Sequence, residues 1–191
     1  MNTKIPKTIH YCWFGKRKKS KLIKKCINSW KKYCPDYKIV EWNEENFDVN
    51  RFDYTKESYE EKKWAFVTDY VRLYVIYNEG GVYLDTDVEL IKKLDNLLDF
   101  DSFFALEEED YIATGLGFGA VKGNKYVKKM LDDYNDVHFK NENGIYDLTP
   151  CPVRNTKSVK SLFDKMKNKQ IKFIYNNNAI LSSDYFCPYN P

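Results

Sequence analysis

Glu79-Gly80-Gly81-Val82-Tyr83-Leu84-Asp85-Thr86-Asp87-Val88-Glu89 is the stretch that decides how this chain is read. Two glycines end a long helical run, a short apolar stretch follows, and two aspartates two apart close it. In an extended backbone residues i and i+2 face the same side, so Asp85 and Asp87 can converge on one cation where a strand ends. Open α/β sheets bind ligands beyond the carboxyl ends of their strands. Hard divalent cations such as Mg²⁺ and Mn²⁺ take carboxylate oxygens and bridge protein to phosphate. A metal–diphosphate site is the simplest functional reading. The competing one is a solvated turn, since turns collect aspartate. A charged pair in the preceding helix and the Gly-Gly joint favour the site.

That helix contains the run from Trp64 to Tyr77, apolar almost all round, as expected of a helix buried against a sheet. Within it Asp69 and Arg72, at i and i+3, share one face. Burying an unpaired charge is costly, so the two either pair or face a polar cavity. One reading is a structural salt bridge. The other is that they hold a hydroxylated, anionic ligand beside Asp85 and Asp87, Arg72 offering a planar fork and Asp69 accepting from hydroxyls.

Outward from this centre the elements alternate. Thr8 to Phe14 reads as a buried strand ended by Gly15, and Ser20 caps a helix to about Lys32 with Leu22, Ile23, Cys26, Ile27 and Trp30 on its apolar face. Tyr37 to Trp42 is a second strand, so the chain opens β-α-β and predicts a parallel sheet with crossover helices. Asn43 to Glu57 reads as polar connection with room for a short helix, and one long helix spans about Tyr59 to Asn78, with Gly80 as its stop. Short strands are expected at Val82–Asp85, Val88–Leu90, Phe103–Glu107, Leu116–Val121 and Ile171–Tyr175. Helices are expected from Asn124 to about Tyr134 and from Ser158 to about Lys167. With no compositional break, residues 1–191 form one α/β domain. Trp13 stands at the end of the first strand, where it either fills the core or stacks a nucleobase.

Composition narrows the function classes. Hydrophobic residues at 43% and aromatics at 17% favour a folded chain over a disordered one. A net charge of +3 from 31 basic and 28 acidic residues gives no case for a nucleic-acid partner. The basic excess is local, nine cations crowding residues 16–32. They read either as a solvated helix face or as attraction to an anionic lipid or acceptor, hence peripheral membrane association at the inner face of the cell membrane. Five cysteines without CxxC spacing indicate neither a disulfide framework nor a zinc site and fit a reducing cytosol. No signal peptide or membrane span is read, and His10 and His138 are too few for a His-metal centre or a Ser–His–Asp triad.

Taken in order, the motifs form a pattern. Ile5-Pro6-Lys7-Thr8-Ile9-His10-Tyr11-Cys12-Trp13-Phe14-Gly15, Ser29-Trp30, Pro35-Asp36-Tyr37, Glu41-Trp42-Asn43, Ala65-Phe66-Val67-Thr68-Asp69-Tyr70-Val71-Arg72, Gly80 to Asp87, and Asp184-Tyr185-Phe186-Cys187-Pro188 resemble bacterial capsular-polysaccharide glycosyltransferases of glycosyltransferase family 32. Fungal Golgi mannosyltransferases and the glucosylating domains of large clostridial toxins look like more distant relatives. The resemblance implies a single-domain GT-A, Rossmann-like fold with a mixed, mostly parallel central sheet. It implies a metal-dependent transferase with Mn²⁺ or Mg²⁺, a nucleotide-diphosphate sugar donor (a UDP-sugar favoured), a glycan or lipid-linked glycan acceptor, and retention at the anomeric carbon. By motif, Trp13 would stack the base, Asp69 and Arg72 would contact the donor sugar, Asp85 would contact the ribose and the metal's water shell, and Asp87 would bind the metal. The resemblance also implies a C-terminal stretch beyond the Phe-Cys-Pro segment that this sequence, ending at Pro191, does not include.

Two other classes stay open on the residues alone: a nucleotide-sugar-binding remnant with little transferase activity, and a metal-dependent phosphoester hydrolase. The acidic run Glu107, Glu108, Glu109 and Asp110 reads either as a solvated loop or as a group near the acceptor. The sequence carries no signal for oligomeric state.

Overall fold

The β-α-β opening is realised by β1 (Thr8–Cys12), α1 (Lys21–Tyr33) and β2 (Lys38–Trp42), the strands pairing parallel from Thr8↔Lys38 to Cys12↔Trp42. The computed structural model describes residues 4–108, 111–159 and 172–187. Ser20 caps α1, its hydroxyl accepting from the Ile23 N–H at 3.3 Å. The helix is seated through Cys26, Ser29 and Trp30. Leu22, four residues before Cys26 and so on the same stripe, lies in the first turn of the helix and is nonetheless 59% exposed.

The single helix expected from Tyr59 to Asn78 is two, α2 (Asp53–Glu60) and α3 (Trp64–Glu79). The Lys63 N–H donates to the Ser58 carbonyl at 2.8 Å and the Lys62 N–H to the Tyr59 carbonyl at 2.9 Å. That bond pattern is a Schellman stop with Lys62 in the left-handed region, φ 58°, where glycine is usual. A lysine there hides the stop from a reader of the sequence. α3 ends at Gly80, where φ is 70° and ψ −178°, and Gly81 follows at φ 110°. Only glycine adopts this pair of conformations easily. A Cβ on Gly81 would also stand 2.8 Å from the Thr8 carbonyl oxygen. The Gly-Gly joint therefore lets β3 (Gly81–Tyr83) drop directly beside β1.

The remaining described elements are β4 (Ser102–Glu108), β5 (Tyr111–Ile112), β6 (Phe118–Ala120), α4 (Lys125–Asp132, capped by Asn124), α5 (Cys151–Ser158), β7 (Lys172–Tyr175) and β8 (Asn178–Leu181). Val88–Leu90 is not a strand, because its backbone is held by α1. The Trp30 indole N–H donates to the Val88 carbonyl at 2.8 Å, and the Leu90 N–H donates to Ser29 Oγ at 2.9 Å. The helix expected to open at Ser158 is instead one that ends there, and residues 160–167 lie outside the described residues.

The sheet order is β2-β1-β3-β6-β4-β8-β7, with β5 on β4. β2, β1, β3, β4 and β8 share one direction and β5, β6 and β7 oppose them, which makes the sheet mixed and mostly parallel. Period-2 alternation splits the core between the faces. Ile9, Tyr11, Val82, Leu84 and Phe103 pack with Trp30 of α1, while Tyr83, Phe104 and Phe118 pack with Val67, Val71 and Val75 of α3. Each buried large side chain contributes roughly 1.5–3 kcal/mol. The five cysteines are free thiols.

Candidate functional site

From β1 the chain crosses through α1 to β2 on one side, while β3 occupies the other side of β1. Where neighbouring strands send the chain in opposite directions, a crevice opens beyond their carboxyl ends. Trp13 follows the end of β1 and Asp85 lies just past the end of β3, so both lie at the carboxyl-end edge of the sheet.

Three expected residues are brought into direct contact. Arg72 Nη2 lies 3.0 Å from Asp69 Oδ1 and 3.4 Å from Asp85 Oδ1. The other guanidinium nitrogens are also engaged: Nε donates to the Thr68 carbonyl at 3.3 Å and Nη1 to Cys151 Sγ at 3.7 Å. Arg72 also lies 5.1 Å above the Tyr83 ring, whose hydroxyl donates to Asp85 Oδ1 at 2.8 Å. Asp69 is 8% and Arg72 4% exposed, while the Asp85 side chain keeps 33%. The network is thus closed on its α3 side and open on its Asp85 side.

Burial pushes the Asp69 carboxyl up, opposed by Arg72; burial likewise pushes Asp85 up, opposed by Arg72 and by the Tyr83 hydroxyl. Burial alone would lower the Arg72 pKa, but Asp85, Tyr83 and Asp69 outweigh it and hold the guanidinium charged. Two carboxylates around one cation carry a formal charge of −1, so the edge of the network suits a cation or a hydroxyl donor better than a bare anion.

Asp87 is placed differently from the sequence expectation. β3 ends at Tyr83, and the Val88 N–H closes a turn on the Asp85 carbonyl at 3.1 Å, so Asp85 and Asp87 do not share one extended strand. Asp87 is exposed and makes no hydrogen bond or ion pair among the described residues, although its charge is felt at Asp85 and at Cys26 of α1. Trp13 packs against the α1-side core, and no contact between it and the network is seen among the described residues. Its indole N–H donates to the Arg17 carbonyl at 2.7 Å, and Lys19 Nζ sits 5.4 Å from its ring centroid.

Sequence reading missed three participants. Tyr83 and Cys151 touch the network directly. Gly115 lies against it: its carbonyl accepts from the Asp85 N–H at 3.0 Å, and a Cβ there would stand 2.5 Å from Asp85 Oδ2 and 2.8 Å from Arg72 Nη1. Phe186 covers Gly117 and stacks on Phe103 with centroids 6.3 Å apart. The available signal was the alternation Gly115, Gly117, Gly119, of which only Gly119 lies in a strand, since closely spaced glycines mark close approach by other groups. Of the acidic run, Glu107 is half-buried in β4, and Glu109 and Asp110 lie outside the described residues.

The donor chemistry fits a hard divalent cation. Asp85 has Oδ1 committed to Arg72 and Tyr83 and Oδ2 against Gly115, which suits contact through a water shell. Asp87, exposed and unpaired, suits direct ligation. Among the described residues no group of three His, Cys, Asp or Glu side chains could hold a metal ion. Mg²⁺ at a phosphate site, however, is commonly held by only one or two carboxylates together with substrate phosphates.

Residues 20–104, which include Asp69, Arg72, Asp85 and Asp87, match the family described as "Glycosyltransferase sugar-binding region containing DXD motif". The chain is 28% identical over 134 residues to inositol phosphoceramide mannosyltransferase 3 of Schizosaccharomyces pombe, an alignment covering 66% of this chain and 36% of that protein. It is 30% identical over 107 residues to mannosyl phosphorylinositol ceramide synthase SUR1 of Saccharomyces cerevisiae, covering 52% of this chain and 27% of that protein. The chain thus spans about a third of the length of the curated relatives it matches. Among solved structures it resembles the PaToxG glycosyltransferase, with a TM-score of 0.65 and 22% identity over 86% of this chain and 71% of that one. The architecture is an α/β fold similar to GT-A glycosyltransferase structures, and the Asp85–Asp87 triplet falls within the residues that match the DXD-containing family. Among the described residues no helix is long and apolar enough to cross a membrane.

Proposed function

We propose that this chain transfers a sugar from a nucleotide-diphosphate sugar, a UDP-sugar being favoured, to a hydroxyl of a glycan or lipid-linked glycan acceptor. The observation that carries the reading is the buried Asp69–Arg72–Asp85 network, open at the crevice between β1 and β3 and flanked by the unpaired carboxylate of Asp87. In this reading Trp13 stacks the base, Asp85 accepts from ribose hydroxyls, and Asp69 and Arg72 orient the donor sugar. Asp87, with Asp85 behind it, would hold Mn²⁺ or Mg²⁺, which when bound acts as a Lewis acid and template for the diphosphate.

In the transfer a bond forms between the acceptor oxygen and the anomeric carbon, the bond to the diphosphate oxygen breaks, and the acceptor proton passes to the departing phosphate. Charge gathers on that phosphate, and Arg72 adds positive potential and fixed orientation. Retention is assigned to front-face attack rather than to a carboxylate nucleophile. The two carboxylates deepest in the site, Asp69 and Asp85, are both engaged by Arg72 and poorly placed for covalent chemistry.

The test is thermal stabilisation by UDP and UDP-sugars with and without Mn²⁺. Saturation at about a hundred times Kd contributes roughly 2.7 kcal/mol, which for a chain of this size raises Tm by roughly 5–10 °C. Stabilisation that requires Mn²⁺ and is lost in Asp87→Asn supports the reading; nucleotide binding indifferent to both overturns the metal assignment. Trp13→Ala should weaken nucleotide affinity by roughly 1–3 kcal/mol, with Trp13→Phe recovering part of it. Unchanged affinity in Trp13→Ala would remove the base platform.

A further inference from the structure

We infer that the N-terminal end of α1 and the segment after Asp87 form a docking surface for a lipid bilayer bearing anionic headgroups. The inference does not rest on sugar transfer, because bilayer binding requires no donor. No acidic residue occurs from Lys16 to Pro35. Arg17, Lys18, Lys21, Lys24, Lys31 and Lys32 are exposed and make no ion pair among the described residues. Lys19 and Lys25 are the two cations of the face that do pair, with Glu41 and Glu89.

Charge alone would suit any polyanion, and exposed apolar groups narrow the choice. Leu22, 59% exposed, lies one turn before Lys25, and Ile91, 70% exposed, lies two residues past Glu89, the partner of Lys25. Lys92 and Lys93, also exposed, follow Ile91. A soluble polyanion gives Leu22 and Ile91 nothing to bury. A membrane interface takes apolar side chains into the headgroup boundary while the surrounding lysines meet lipid phosphates. The face is also fixed relative to the crevice. Lys25 Nζ holds Glu89 at 2.7 Å, Ser29 accepts from the Leu90 N–H, and Trp30 donates to the Val88 carbonyl. Docking through α1 therefore brings the Asp85–Asp87 turn close to the bilayer, within reach of headgroup hydroxyls.

The experiment is flotation of the full chain with vesicles of phosphatidylcholine alone and of phosphatidylcholine mixed with phosphatidylglycerol, at low and high salt, without nucleotide. Binding is expected only to the anionic vesicles and should fall with salt. Neutralising two cations in Lys21→Gln with Lys24→Gln should weaken it roughly 25-fold, at about fivefold per charge. Leu22→Gln with Ile91→Gln, which leaves every charge in place, should weaken vesicle binding while leaving retention on heparin unchanged. No binding to anionic vesicles overturns the inference. So does binding that ignores Leu22 and Ile91, which would mark the face as a site for soluble polyanions. Circular dichroism of each variant separates loss of binding from loss of fold.

Discussion

At the scale of single residues, Asp85 shares its carboxylate with Tyr83 and Arg72, whereas Asp87, two positions on, is exposed and unpaired. The two aspartates should therefore respond differently to substitution, as should the arginine behind them. Asp87→Asn touches nothing that holds the fold, so its stability should stay within about 0.5 kcal/mol of the parent, while Mn²⁺-assisted nucleotide binding falls. Arg72→Ala leaves Asp69 buried without its cation, and breaking such a pair costs roughly 3–5 kcal/mol. Urea titration of both variants beside nucleotide titration checks this. Equal destabilisation by the two changes would show that Asp87 belongs to the structural network. The sequence placed Asp69 and Arg72 on one helical face, but spacing could not say that Asp85 completes the pair. That contact spans a helix and a strand, which only the Gly80–Gly81 joint brings together.

At the scale of elements, the segments read correctly are those with local chemical signals. Ser20 and Asn124 both cap helices as their residue types suggest, through bonds to the following backbone N–H groups. The misread segments have their signal elsewhere in the chain. Val88–Leu90 has the composition of a strand but surrenders its hydrogen bonds to α1. The break between α2 and α3 has the geometry of a glycine stop with a lysine in it. A left-handed lysine carries a steric cost that glycine avoids, partly offset by the greater freedom glycine has when unfolded. Lys62→Gly should therefore raise stability by about 0.5–1 kcal/mol without altering nucleotide binding, measured as a shift in urea midpoint at constant slope. A destabilised Lys62→Gly would mean that the lysine side chain holds the joint by contacts beyond the backbone.

Across the whole molecule, the α/β class and the carboxyl-end location of the site were legible because β1, α1, β2, α3 and β3 follow one another with clear periodicity. The reversed strands β6 and β7 and the pairing of β4 with β8 depend on contacts distant in sequence, which periodicity does not encode. One buried side chain ties these layers together and makes their stability depend on pH. His10, in β1, accepts the Trp42 indole N–H of β2 on Nδ1 at 3.0 Å; indole can only donate, so Nε2 carries the proton and donates it to the Gly80 carbonyl at the end of α3, also at 3.0 Å. Burial holds the ring neutral and lowers its pKa from 6.5 to about 4, against the pull of the Gly80 carbonyl. Between those values the unfolded chain binds a proton that the fold refuses. Stability from this group is therefore full above about pH 6.5 and is lost as pH falls towards 4, a change of roughly 3 kcal/mol. Carboxylates add their own loss in a lower window. Glu41, for example, is pushed up by partial burial but held below its usual range overall by Lys19 and Tyr11, and its contribution fades only as pH falls through that depressed value. The difference between the parent and His10→Gln isolates the histidine. Urea midpoints should diverge most near neutrality and converge as pH falls from 6.5 to 4, because the parent alone loses the histidine's contribution. Parallel profiles across that window would mean that His10 is protonated as readily in the fold as outside it, and that the Trp42–His10–Gly80 tie is not what joins β2, β1 and α3.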